Sequence, residues 1–142
     1  MKFYKILVPV IGTEADEEAI KLACRLAKKD KGKIWAVYVI TIKRTLPLDA
    51  AMESEIEKAE GVLDHMEIVA DEEDYEIETD ILQAREAAPA IVDEAAERGV
   101  DLIVMGVTYG RRYGQFSLGN VVPDVLKNAL CGVILYQYQY IT

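Results

Sequence analysis

The chain is poor in the residues on which most hydrolytic and metal chemistry depends. Its 142 residues include one histidine, His65, and two cysteines, Cys24 and Cys131. A Ser-His-Asp set would have to use His65, which lies mid-helix among Glu and Asp and reads as a solvated helix residue. The cysteines have no metal-ligand spacing and no disulfide framework, so both read as small core hydrophobes and no metal is expected. No GxxxxGK(S/T) segment is present, and no acidic residue follows the first apolar strand to hold Mg²⁺. Phosphoryl transfer is therefore disfavoured, as is a response-regulator receiver, and an enzyme is not expected.

Two further shortages narrow the partners. No apolar run approaches the length of a membrane span, and the N-terminal MKFYK leads into a strand rather than a signal-peptide core. A cytoplasmic protein with no membrane partner is the expectation. Basic residues are outnumbered, 16 Lys and Arg against 25 Asp and Glu, for a net charge of −9 and a pI near 4.6. Binding a nucleic-acid backbone needs clustered Lys and Arg, so no nucleic acid is expected.

What is present is an alternation of strand and helix patterns. With 51% hydrophobic and 29% charged residues the composition is that of a globular chain, and residues 1–142 read as a single domain. Lys5 to Ile11 is a continuous apolar strand of the kind buried on both faces of a parallel sheet. Thr13 with Asp16 forms an approximate capping box opening a helix to about Lys29. Lys33 to Ile40 is a second strand, and Thr41 to Leu48 a connector containing the breaker Pro47. A charged helix is expected from Asp49 to about Glu73. The alternation of Ile77, Thr79 and Ile81 marks a third strand, and Pro89 sits in the first turn of a helix ending at Arg98 before Gly99. A strand at 101–105, a helix near 121–129 and a last strand from Gly132 complete the pattern. It predicts a three-layer α/β/α sandwich around a five-stranded, mainly parallel sheet.

The segment Asp101 to Asn120 carries the functional signal. A strand, Leu102 to Met105, turns at Gly106 into a loop holding Thr108, Gly110, Arg111, Arg112 and Gly119, then Asn120 as N-cap before Val121. Strand, Gly-rich loop and helix start are the parts of an anion cradle, and arginine can hold an anion bidentately. At the carboxyl ends of the strands, Pro9, Val10, Ile11, Gly12, Thr13 and Val39 would face the same crevice. A small anionic ligand is one reading; the other leaves the arginines in water and the glycines serving turn geometry alone.

These segments resemble the universal stress protein family. ILVPVIGTEADEEAIKLACRLAKK is similar to its first strand and helix, and DLIVMG, Gly119 and VLKNALCGVILY to its fourth strand, final helix and last strand. The resemblance implies strand order 3-2-1-4-5, a homodimer joined through the last strand, and a stress-related regulatory role. ATP-holding members share a loop of Gly, two residues, Gly, nine residues, Gly and Ser or Thr. Here Gly106 and Gly119 keep the offset, Tyr109 takes the middle position with Gly110 one step late, and Asn120 takes the last. Where those members have an acidic residue after the first strand, this chain has Ile11. The resemblance thus implies a member without tight ATP binding and with no required cofactor; the alternative is an ATP- or AMP-binding switch using the 106–120 loop.

The last strand carries its own message. Ile134, Tyr136, Tyr138 and Tyr140 share one face, Leu135, Gln137 and Gln139 the other. A long, uncharged, aromatic strand at a sheet edge is seldom left uncovered. The expected interface between two copies comprises Val133, Ile134, Leu135, Tyr136, Gln137, Tyr138 and Tyr140.

Overall fold

The computed structural model describes residues 1–108 and 121–138, Tyr138 through its backbone alone. Its elements in chain order are β1 (Lys5–Pro9), α1 (Glu14–Lys28), β2 (Lys33–Thr41), α2 (Glu53–Glu72), β3 (Glu78–Ala84), α3 (Ala87–Arg98), β4 (Leu102–Thr108), α4 (Val121–Asn128) and β5 (Gly132–Tyr138). The five strands pair in parallel in the order β3-β2-β1-β4-β5. This is the expected sandwich and strand order.

The apolar runs explain the layers. Successive side chains of a strand point to opposite faces, so a strand with both faces covered must be apolar throughout. In β1, Ile6 and Val8 join one core with α1 and α2, while Leu7 joins the other with α3 and α4. Ile6, Leu7 and Val8 are fully buried. Cys24 lies in the α1 core, where burial pushes its thiol up to about 11 and leaves it unreactive near neutrality. Cys131 is half-buried beside the second core, also with its thiol pushed up by burial.

Three element boundaries differ from expectation. Strand β1 ends at Pro9, not Ile11, which stands exposed at the start of the turn. Helix α2 begins at Glu53, not Asp49, because the preceding connector is folded into turns and clamped from β3. Leu46 donates its N–H to Lys43 O and Ala50 to Pro47 O. Arg85 donates to the carbonyls of Ile42, Lys43 and Leu46, and Gln83 Nε2 to those of Leu48 and Ala50. Strand β4 continues through Gly106 to Thr108 instead of turning at Gly106, with Gly106 in register with Tyr136 of β5. The glycine serves packing: a Cβ at 106 would overlap the carbonyl oxygen of Ala15 at the start of α1.

Replacing Gly106 by Ala is therefore expected to cost about 3 kcal/mol in urea unfolding, at the upper end of ordinary overpacking. Gly61, mid-α2, has open space around it, and Gly61→Ala should stabilise by about 0.5–1 kcal/mol through helix propensity. Equal midpoints for the two variants would contradict the close approach of β4 to α1.

Candidate functional site

Strand order reverses between β1 and β4, which carry crossovers leaving in opposite directions along the sheet. Such a reversal opens a crevice beyond the carboxyl ends of the strands. A cavity of about 340 Å³ lies there, at the small end of the range for ligand sites. Pro9, Val10 and Ile11 line it from the end of β1, and Val37 and Val39 from β2. Ala87 and Ile91 of α3 form a wall, Met105 to Thr108 of β4 a second, and Val121 and Val122 at the start of α4 a third. The crevice is mostly apolar, with Thr108 and Asp16 as its polar side chains among the described residues.

Of the residues expected from sequence, the structure brings Pro9, Val10, Ile11, Val39, Gly106, Thr108 and Val121 to this cavity. Gly12 and Thr13 do not line it; they form the turn behind it, Gly12 at φ 102° and Thr13 as the N-cap of α1. Gly110, Arg111, Arg112, Gly119 and Asn120 lie outside the described residues, as does Tyr140 of the expected interface. His65 is away from the crevice. It is exposed on α2, as expected, and pairs at 2.5 Å with Glu17, tying α2 to α1.

Sequence reasoning missed Val37, Ala87, Ile91, Met105, Val122 and, above all, Asp16 as crevice residues. A signal existed for one of them: Val37 shares the face of Val39 by strand alternation. Asp16 was legible only as a capping residue.

Asp16 is the one buried charged residue among the described residues, 3% exposed. Its Oδ2 accepts N–H bonds from Ile11 at 2.7 Å, Gly12 at 2.8 Å and Thr13 at 3.0 Å. Thr13 Oγ1 in return accepts the Asp16 N–H at 3.1 Å, completing the capping box. A carboxylate can be buried when such donors replace its water. The β1–α1 turn is thereby fixed, and Ile11 is held outward, 69% exposed.

Comparison with known proteins now bears on the whole chain. The profile of the universal stress protein family matches residues 2–137. The chain belongs to the universal stress protein family. The universal stress protein MJ0531 of Methanocaldococcus jannaschii is 35% identical over 141 residues, covering 94% of this chain and 81% of that one. A universal stress protein structure from Archaeoglobus fulgidus superposes with a TM-score of 0.74 at 25% identity, covering 95% of this chain and 94% of the other. A second A. fulgidus structure, a universal stress protein in complex with dAMP, superposes with a TM-score of 0.73 at 23% identity, covering 95% and 98% of the two chains.

Loss of the Thr13 hydroxyl removes one half of the reciprocal cap. Thr13→Ala is expected to lower stability by about 1 kcal/mol, read from urea denaturation; a variant as stable as the parent would show that Asp16 alone holds the turn.

Proposed function

We propose that this chain is a stress-response regulator that acts by binding rather than catalysis, as a homodimer joined through β5, and that its crevice takes an adenine nucleoside monophosphate in preference to ATP. The observation that carries the ligand preference is the end of β1. Ile11 stands there exposed and uncharged, and the nearby carboxylate, Asp16, has one oxygen committed to three backbone N–H groups. No acidic group among these residues is arranged to hold Mg²⁺ beside a triphosphate. The small apolar crevice suits a base, and the start of α4 at Val121 offers N–H groups and a positive dipole end to one phosphate. The A. fulgidus relative that holds dAMP supports a nucleotide of this size. Arg111, Arg112 and Asn120 remain the phosphate partners proposed from sequence.

The two edges of the sheet support the dimer. At the β3 edge, Asp80 Oδ1 accepts the Ile81 N–H at 2.8 Å, and Gln83 and Arg85 hold the connector. Those are the devices by which an edge is protected from further pairing. Strand β5 has no charged residue, and Val133 to Tyr136 are all only half-buried. Leu126 and Leu130 stand exposed beside it, the latter at 90%. Net charge does not oppose the association. Ten of the 25 acidic side chains and one of the 16 basic ones lie between Glu53 and Asp74, so that segment carries the chain's whole formal charge of −9. It packs against α1, β2 and β3, toward the opposite edge.

Calorimetric titration is expected to show AMP binding about tenfold tighter than ATP, a difference of about 1.4 kcal/mol, with ATP affinity unchanged by Mg²⁺. Ile11→Asp should make ATP binding Mg²⁺-dependent. Parent protein that binds Mg²⁺-ATP more tightly than AMP would contradict this reading. Separately, Tyr138→Pro should elute from a sizing column as a monomer, and an unchanged dimer would rule out pairing through β5.

A further inference from the structure

The connector between β2 and α2 is an exposed loop tied down as closely as an element of the fold. Ile42 anchors one end in the core, and Met52 packs against the same core at the other. Between these anchors residues 43–49 are all exposed. Two side chains from the end of β3 hold the stretch by its backbone. Gln83 Nε2 donates to Leu48 O at 2.7 Å and to Ala50 O at 3.2 Å. The Arg85 guanidinium donates to the carbonyls of Ile42, Lys43 and, at 2.8 Å, Leu46. Both clamps grip carbonyls, and the side chains of Lys43, Arg44, Leu46 and Leu48 stay on the surface, the two leucines at 39% and 50% exposed. The charge of this surface is opposite to that of the chain. Residues 43–48 hold two cations and no acid in a protein of net charge −9. Neither Lys43 nor Arg44 pairs with a carboxylate among the described residues. Residues 109–120 and 139–142 contain no Asp or Glu that could do so.

We infer that this connector is a docking surface for an acidic, leucine-bearing segment of a partner protein. The partner's carboxylates meet Lys43 and Arg44, and its apolar side chains cover Leu46 and Leu48. Single exposed leucines are ordinary on a protein surface. These two differ because they flank Pro47 beside two uncompensated cations, on a backbone already ordered before any partner arrives. A loop fixed in advance spares the entropy of ordering it on binding. Opposite charge then orients the partner and speeds the encounter, and the arginine fork can take a carboxylate bidentately. The start of α2 decides between kinds of partner. Asp49, Glu53, Glu55 and Glu57 follow the connector directly, so a broad anionic plane laid on Lys43 and Arg44 would also face those carboxylates. Holding an anionic lipid surface takes roughly four to eight basic residues, and the connector has fewer. A second copy of the chain would bring its own excess of negative charge. A narrow acidic segment can touch the connector alone. The inference is independent of what fills the crevice.

The test measures fluorescence anisotropy of a short labelled peptide of Asp, Glu and Leu, with a second peptide carrying Lys in place of the acids. The parent is expected to bind the acidic peptide, more weakly as salt is raised, and to bind the lysine peptide less well. Lys43→Glu combined with Arg44→Glu should weaken the acidic peptide by about tenfold or more. Leu46→Ser with Leu48→Ser should weaken it severalfold with the charge unchanged. All four positions are exposed, and thermal melting establishes that each variant is folded. Parent protein that ignores the acidic peptide, or either double variant that binds it as the parent does, would overturn the inference. Tighter binding of the lysine peptide would move recognition to the acidic face of α2 and also overturn it. Two further measurements admit the other occupants. Sedimentation of the parent with phosphatidylserine–phosphatidylcholine vesicles, lost in the charge-reversed variant, would replace the acidic segment by a lipid surface. A smaller species on a sizing column for that variant would replace it by a second copy. Either result would overturn the assignment of the partner.

Discussion

Three backbone N–H groups pointing at one carboxylate oxygen set the geometry on which this molecule's crevice depends. The chain must leave the central strand β1 and enter α1 within a few residues, in a turn whose Ile11 and Gly12 are exposed. Asp16, itself buried, gathers the three N–H groups of that turn on one oxygen. Once the turn is closed, the first residues of α1 lie flat enough against β4 that position 106 has no room for a side chain. A cap, a glycine and a strand extension are thus one constraint seen from three residues. The crevice between β1 and β4 is its consequence: its polar corner is the carboxylate that shapes the turn.

The same sheet handles its two borders in opposite ways. On the β3 side, side chains are spent on backbone: Asp80 accepts from Ile81 and also receives Arg98 at 2.8 Å, while Gln83 and Arg85 gather the carbonyls of the 42–50 connector. Trp35 nearby donates to Glu78 at 2.8 Å and lies under the cations of Lys33 and Arg98. Lys33, through its hydrogen bond, holds the Glu78 carboxyl below its usual range, with the Trp35 N–H adding to the effect. This border is finished within the chain. On the β5 side the strand is uncharged and half-buried, and the chain's negative charge has been gathered at the far border on α2. The proposed pairing of two copies through β5 would make use of this asymmetry.

Most of the architecture was legible because apolar periodicity reports burial directly. Continuous runs at Lys5–Ile11 and Leu102–Met105 identify two-faced strands, the first of which ends earlier, at Pro9, and Thr13 with Asp16 marks a helix start that the structure reproduces. What was not legible shares a physical cause: it depends on contacts distant in sequence. Gly106 reads as a turn because a lone sequence cannot display the Ala15 carbonyl that excludes a side chain there. The start of α2 reads four residues early because Arg85 and Gln83, which hold the connector, come from more than thirty positions downstream. In the crevice, Pro9, Val10, Ile11 and Val39 followed from their place at strand ends. Ile91 and Val122 did not, since a helix's buried face is shared between core and cavity. Asp16 could be recognised as a cap from its spacing, but its three N–H bonds follow only from the folded turn.

The central claim is that the Asp16 carboxylate closes the β1–α1 turn and so builds the crevice. Native-state hydrogen exchange resolved by NMR at the amides of Ile11, Gly12 and Thr13 tests it most directly. The account predicts that these three exchange slowly, with protection comparable to amides of the buried strands, although Ile11 itself faces solvent. Exchange of the three at the rate of an open loop would show that the carboxylate does not hold the turn, and the account would fail.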